Sequence, residues 1–368
     1  MPIETPLLAQ HRAAGATFAE YFGVLLPSRF ADFQSEYSAA SGAVALLDTN
    51  FRAIFSFSGP DAQRYLNALL TSNVRDLKPG AGAVGLLLTP QGHILAEVET
   101  FLLPDRILAV SHAMARERTF STFDKFIIMD DVTLEDVTPF TGTLDLIGPR
   151  AADVILEVAR VNDVGRVNIS ELPALAHVEA QIGSVACRIV RKTWLNRPAA
   201  MIIAPLDQMA NLWQSLESSV RAHGGAPVGM EAVNSIRLEC GTPWFGHDFD
   251  DRNIPHEAGL EHSHISYEKG CYTGQEIVER VRSRGHANRR LTELQFLGTQ
   301  TPAPGTKLLL EGKEIGTVSS AAFSPILGRP IGLGYLRREN SSLGVRMDAD
   351  GTPAEVIAPP QPATPSSP

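Results

Sequence analysis

Twice in this 368-residue chain an apolar stretch with strand-like spacing runs into Gly-Pro and then into helically spaced apolar residues. In the first copy Phe51, Phe55 and Phe57 alternate with Arg52, Ile54 and Ser56, with Ala53 weakening the stripe. Gly59-Pro60 follows, then Ala62, Tyr65, Leu66, Leu69 and Leu70. In the second copy Leu144-Asp145-Leu146-Ile147 leads into Gly148-Pro149, then Ala151, Val154, Ile155 and Val158. A period of two that switches to 3.6 across a turn predicts strand, turn and helix. Recurrence of this pattern at positions 59 and 148 points to duplicated α+β modules. The Gly-Pro turns lack the spaced glycines and lysine of a phosphate loop and are read as structural.

Ahead of the modules, Thr5-Pro6 followed by Leu7, Leu8 and Arg12 and closed by Gly15 predicts a short helix capped by Thr5. Beyond Arg290 short apolar runs are broken by Gly305, Gly312, Gly316, Gly328, Gly332 and Gly344, the texture of a small all-β domain. Five prolines between Pro359 and Pro368 predict a disordered tail. The expected division is 1–290, 291–357 and a tail over 358–368.

Net charge is −9, which excludes broad, sequence-independent nucleic-acid binding. No apolar run approaches the ~20 residues that span a bilayer. Met1-Pro2-Ile3-Glu4 lacks the features of a signal peptide, so a cytoplasmic location is expected. Cys187, Cys240 and Cys271 are odd in number and widely spaced, with no Cys-x-x-Cys, so reduced thiols are expected. No complete structural zinc or four-cysteine cluster site is available, and no metal is assigned.

The stretch from Tyr267 to Arg290 carries the chemistry. Thr273 and Glu276 have the spacing of a capping box ahead of Ile277, Val278 and Val281, predicting a helix from about Gly274. Cys271 would then lie just outside a helix N-terminus, two residues from Lys269, where backbone N–H groups and an ammonium favour thiolate. Glu276 and Arg280 can pair along that helix. Lys269, Arg280, Arg282, Arg284, Arg289 and Arg290 outnumber Glu276 and Glu279, which suits an anionic partner or a solvated helix end. A second polar cluster, His247, Asp248, Asp250, Asp251, His256, Glu257, Glu261, His262 and His264, is read as loop polarity, since no metal-ligand spacing supports it. Trp194, Trp213 and Trp244 suit either heterocycle stacking or the core.

Lys269-Gly270-Cys271-Tyr272-Thr273-Gly274-Gln275-Glu276, with Arg280 downstream, resembles the defining motif of the YgfZ-type folate-binding proteins, relatives of the glycine-cleavage T-protein aminomethyltransferase. Arg237-Leu238-Glu239-Cys240-Gly241-Thr242-Pro243, then Asp248, Pro255, Glu257, Gly259 and Leu260, is similar to both branches, as are Gly59-Pro60-Asp61-Ala62 and Ile315-Gly316-Thr317-Val318-Ser319-Ser320. The resemblance extends from about Ala40 to Arg338.

It implies an α+β fold of T-protein type: two intertwined modules around a central channel for tetrahydrofolate, and a C-terminal β-barrel. It implies a role in maturation or repair of iron–sulfur proteins, with iron–sulfur client or assembly proteins as partners. Cys271 and Lys269 would form the chemical centre, and Tyr272, Gln275, Glu276, Arg280, Arg237, Glu239, Glu97 and His112 would contact the folate. One thiolate holds no stable cluster alone, so any cluster contact would be shared or transient. T-proteins place adjacent acids where Gly92-His93-Ile94-Leu95-Ala96-Glu97 stands here, so Ala96 replaces one of them. Their strand asparagine falls near His112, and their Gly-Tyr-Thr-Gly-Glu segment is replaced around Lys192-Thr193-Trp194-Leu195-Asn196. These departures lead to the expectation that methylene transfer is negligible. The alternative is a folate-dependent aminomethyltransferase with Glu97 as base and Cys271 structural.

Overall fold

A computed structural model describes residues 2–161, 165–166 and 168–360. The expected tail lies outside these from residue 361 onward. The chain forms two compact units. The first comprises residues up to Leu88, Leu95–Val233 and Ser263–Thr273; the second comprises Thr89–Ile94, Asn234–His262 and the residues from Gly274 on.

Both Gly-Pro turns form as the sequence predicts. Arg52–Ser58 is a strand followed by the helix Ala62–Leu69, and Thr141–Ile147 is a strand followed by the helix Ala151–Val158. Gly59 and Gly148 have φ of +103° and +132°, backbone territory that suits glycine. A Cβ on Gly59 would clash with the carbonyl of Asp131, and one on Gly148 with that of Ala43. The same two carbonyls accept hydrogen bonds from Asp61 N at 3.3 Å and Arg150 N at 3.0 Å. The two turns therefore solve one packing problem in the same way.

The flanking strands are exchanged between the modules. Ala45–Asp48, which precedes the first turn, pairs antiparallel with Thr141–Ile147 of the second module. Thr133–Asp136, which precedes the second turn, pairs antiparallel with Arg52–Ser58 of the first. The first module's sheet has five strands, in the order Gly82–Leu88, Ile94–Leu102, Ile107–His112, Arg52–Ser58 and Thr133–Asp136. The second sheet repeats that order as His177–Ile182, Val185–Trp194, Arg197–Pro205, Thr141–Ile147 and Ala45–Asp48, with one two-residue strand added at each edge.

Period-two alternation sorts these strands into layers. Ala53, Phe55, Phe57, Ala96 and Val98 join Leu66, Leu69 and Phe123 in a core between the first sheet and its helices. Leu144, Leu146, Ala200 and Ile202 join Val154, Ile155, Leu212 and Trp213 on the outer side of the second sheet. Between the sheets Ile54, Phe101 and Val110 pack against Val190, Met201 and Ile203.

In the second unit, six strands between Arg289 and Val356 close a barrel. Leu294, Phe296, Leu308, Val318 and Leu336 fill it. The fold is α+β, with the barrel the sequence predicts. The N-terminal helix begins later than expected, at Leu8. Thr5 instead accepts a hydrogen bond from Leu7 N at 3.3 Å and donates to Asp48 at 2.5 Å.

Candidate active site

Within the first unit, the inter-sheet core gives way to a cluster of charged side chains. Glu97 and Glu99 sit on the same face of Ile94–Leu102, opposite Ala96 and Val98. The register Glu99↔Val110, continued by two residues, sets Glu97 against His112, and His112 pairs with Arg52 across the next strand. From the second sheet, Lys192 reaches over to Glu99 Oε1 at 2.5 Å. Arg52 forks onto buried Asp145 at 2.6 and 2.8 Å, with Thr49 Oγ1 at 2.7 Å. This planar, two-bond pairing is the strong form of a carboxylate–guanidinium contact.

His264 Nε2 completes the cluster at 2.8 Å from Glu97 Oε1. Burial pushes the Glu97 pKa upward. The bond to His264 and that residue's charge, helped by His112 and Lys192, override burial and hold it at about 2. His112 is pulled down to about 4 by burial; its neighbours Glu97 and Glu99 oppose the shift, and Arg52 and Lys192 add to it. At neutral pH the site thus pairs an ionised carboxylate with an uncharged imidazole stacked near Phe22 and Phe51. Among the described residues the second oxygen of Glu99 is buried without a hydrogen-bond partner.

Ala96 faces the helix-side core and is fully buried there. Its side chain points away from the polar cluster, so the missing acid removes no carboxylate from this face. The expectation of negligible transfer loses that support.

The cysteine motif is arranged differently from its sequence reading. Lys269 is buried, and its ammonium lies on the carbonyls of Asn67 at 2.5 Å, Leu70, and Ser72 at 2.9 Å. It also lies over the Tyr272 ring, 5.0 Å from the centroid. Burial, with Arg75 nearby, brings its pKa down to about 8. Thr273 N reaches Ala68 O at 3.2 Å, and Ser266 N reaches Thr71 O at 2.9 Å. These bonds satisfy carbonyls at and beyond the end of the Ala62–Leu69 helix that the helix itself leaves open. Lys269 is therefore engaged in an anchor rather than pointed at Cys271. Tyr272 is buried beside it, and Cys271 is exposed.

The expected capping box does not form. Gly274, with φ of +83°, is the N-cap of Gln275–Arg284, and no side chain caps that helix. Glycine reaches this left-handed conformation without the cost a Thr would carry. Gln275 is half-buried, and Glu276 and Arg280 are exposed. The ion pair on this helix joins Arg282 to Glu279 at 3.4 Å instead of Arg280 to Glu276. In the second unit, Arg237 is 1 % exposed, ion-paired with Asp248 and stacked 4.6 Å from the Trp244 ring centroid. Glu239 accepts from Ser324 Oγ at 2.6 Å and Ile326 N at 3.2 Å. Both were expected to hold the folate, but internal partners and burial leave little of either for a ligand. Glu97 and His112, the remaining expected contacts, do converge. His264, Glu99, Lys192 and Arg52 were not anticipated as site residues. The alternation Ile94, Ala96, Val98 against Glu97, Glu99 was the available signal for Glu99. Among the described residues no cluster of three or more metal-ligating side chains occurs, and no helix is long and apolar enough to cross a membrane.

Comparison with known proteins agrees with this architecture. Residues 7–266 match the GCVT N-terminal domain, and residues 289–361 match the glycine cleavage T-protein C-terminal barrel domain. An aminomethyltransferase of Desulforamulus reducens is 26% identical over 348 residues, covering 94% of this chain and 92% of that one. One of Rubrobacter xylanophilus is 28% identical over 335 residues, covering 91% and 87%. The crystal structure of glycine cleavage system aminomethyltransferase T from Bartonella henselae superposes with a TM-score of 0.85 at 23% identity, covering 98% of both chains. With both domains matched in order along nearly its whole length, this chain belongs to the glycine cleavage T-protein family.

Proposed function

We propose that the protein binds tetrahydrofolate in its first unit and performs folate-dependent one-carbon transfer of the aminomethyltransferase type, as its relatives' names indicate for them. The observation that carries this reading is Glu97, an ionised carboxylate set among His264, His112 and Lys192 on an inter-sheet face. The residues present fit such a ligand. A reduced pterin pairs a flat pyrimidine ring with a puckered reduced ring and is edged with N–H donors, and among the described residues the buried second oxygen of Glu99 lacks a donor. Phe22 and Phe51 beside His112 supply apolar surface. When bound, the folate would accept the one-carbon unit on its amine nitrogens; Glu97 would hold or receive a proton there. The assignment of folate binding to residues 1–290, with the barrel over 291–357, is part of the same proposal.

A second reading is favoured by one specific observation. Lys269 and Tyr272 are buried anchors on either side of an exposed Gly270-Cys271, so the motif presents its thiol to solvent. That arrangement supports a folate-binding factor in maturation or repair of iron–sulfur proteins, as the YgfZ-type resemblance implies. It also disfavours Cys271 as a packing residue.

One experiment separates the two. The protein is titrated with tetrahydrofolate, then incubated with tetrahydrofolate and an aminomethyl-lipoyl carrier. Turnover abolished by Glu97→Gln supports transfer. Folate binding without turnover, together with a Cys271→Ser variant that folds but fails to restore iron–sulfur enzyme activity in cells lacking the protein, supports the second reading. Absence of tetrahydrofolate binding refutes both.

A further inference from the structure

Glu97 is engaged on one side only. Its Oε1 meets His264, while among the described residues no partner takes Oε2, and 26% of the side chain remains accessible. His264 is itself fixed from three directions. Its Nδ1 lies 2.7 Å from Ser263 Oγ, its carbonyl accepts from Thr71 Oγ1 at 2.6 Å, and the following Ile265 is buried. Thr71 in turn donates its N–H to Leu86 O and accepts from Leu86 N at 2.7 Å, which ties the segment to the edge strand Gly82–Leu88. The imidazole is therefore placed by backbone anchoring, 167 residues from the carboxylate it meets.

We propose that His264 is the positioning residue of this site: it fixes one oxygen of Glu97, so the other oxygen selects ligands that present a proton on nitrogen. The folate reading supplies only the identity of that ligand; the dyad is independent of it. A carboxylate with one oxygen occupied offers a single strong acceptor, which rewards an N–H or ammonium group and repels an unprotonated oxygen. The groups facing Glu97 are His264 from the 263–273 segment, His112 from the neighbouring strand and Lys192 from the opposite sheet. Behind them stand Arg52 and Glu99, which act on His112. Burial is the largest single influence on Glu97 and acts to raise its pKa. Removing His264 leaves burial less opposed, and Glu97 then titrates in the mildly acidic range.

The test follows the Glu97 side-chain carboxyl by carbon NMR in the full-length, ligand-free protein, in wild type and in His264→Ala and His264→Gln. The wild-type signal should stay flat from pH 8 down to about 4, because the carboxyl titrates near 2. In His264→Ala it should titrate inside that window, at or above the ordinary value of 4.5. His264→Gln keeps a donor without the charge and should fall between them. Tetrahydrofolate affinity should show no corresponding break in wild type down to about pH 4, whereas in His264→Ala it should fall through the pH at which Glu97 titrates, by ~10-fold about one unit below that pH. A Glu97 signal equally flat in His264→Ala overturns the proposal. If wild type binds no tetrahydrofolate the functional reading falls, while the ligand-free titration still decides the role of His264.

Discussion

Replacing Lys269 with Met tests whether the cysteine motif is anchored as described. Methionine keeps the length of the apolar stem and its contact with the Tyr272 ring but removes the ammonium that meets Asn67 O, Leu70 O and Ser72 O. Hydrogen bonds to charged groups contribute roughly 1.5–3 kcal/mol each. Relief from burying the ammonium offsets several kcal/mol of that sum. The remainder, for three carbonyls left without their donor, is on the order of 3 kcal/mol. At roughly 2–4 °C per kcal/mol for a unit of this size, thermal unfolding should move down by about 6–12 °C. Differential scanning calorimetry reads that shift. Hydrogen exchange adds a local measure, because the amides of Ser266 and Thr273 are bonded to Thr71 and Ala68, and both should exchange faster in the variant. A melting temperature unchanged within about 1 °C, with unaltered exchange at those two amides, would refute the anchor and return Lys269 to the role of companion to Cys271.

Two further outcomes are expected. Cys271 should alkylate at neutral pH well before Cys187, which is buried and has its thiol pKa pushed up to about 12 by that burial; peptide mass spectrometry after timed iodoacetamide treatment checks this, and equal rates would contradict the exposure assigned to Cys271. Glu293 has its carboxyl pushed up to about 7 by burial, above its ordinary 4.5. The folded state therefore binds the extra proton between those values, and this group's stabilisation, complete below about 4.5, is lost as pH rises toward 7. Glu293→Gln should flatten the decline in denaturant midpoint over that range; an identical slope would show the group is not buried as described.

The modules were readable in the sequence because each rests on local chemistry. A Gly-Pro turn needs a glycine at positive φ, and the flanking periods of two and 3.6 are visible within a dozen residues. The barrel was readable for a similar reason, from short strands punctuated by glycine. The site was legible only in part. Glu97 and His112 were expected there and do share one face, yet the groups that meet them come from distant segments: His264 is 167 residues from Glu97, and Lys192 is 93 from Glu99. No local pattern encodes such a pairing. The capping box failed because Thr-x-x-Glu competed with Gly274, whose left-handed backbone starts the helix at lower cost. The carbonyls that hold the Lys269 ammonium were not legible either, because proximity in sequence to Cys271 says nothing about where a long flexible stem directs its charge.

The exchanged strands make each half of the first unit dependent on the other. Cutting the chain in the 127–132 connection would yield an N-terminal piece that holds Ala45–Asp48 but lacks Thr133–Asp136, the strand that edges its own sheet beside Arg52–Ser58, and a C-terminal piece that holds Thr133–Asp136 but lacks Ala45–Asp48, the neighbour of Thr141–Ile147. Each fragment would expose a bare sheet edge that only the other fragment carries the matching strand to cover. A single-copy forerunner of this arrangement would close its sheet by handing that strand to a second molecule, so fusion of two copies turns a dimer's reciprocal grip into an intramolecular one.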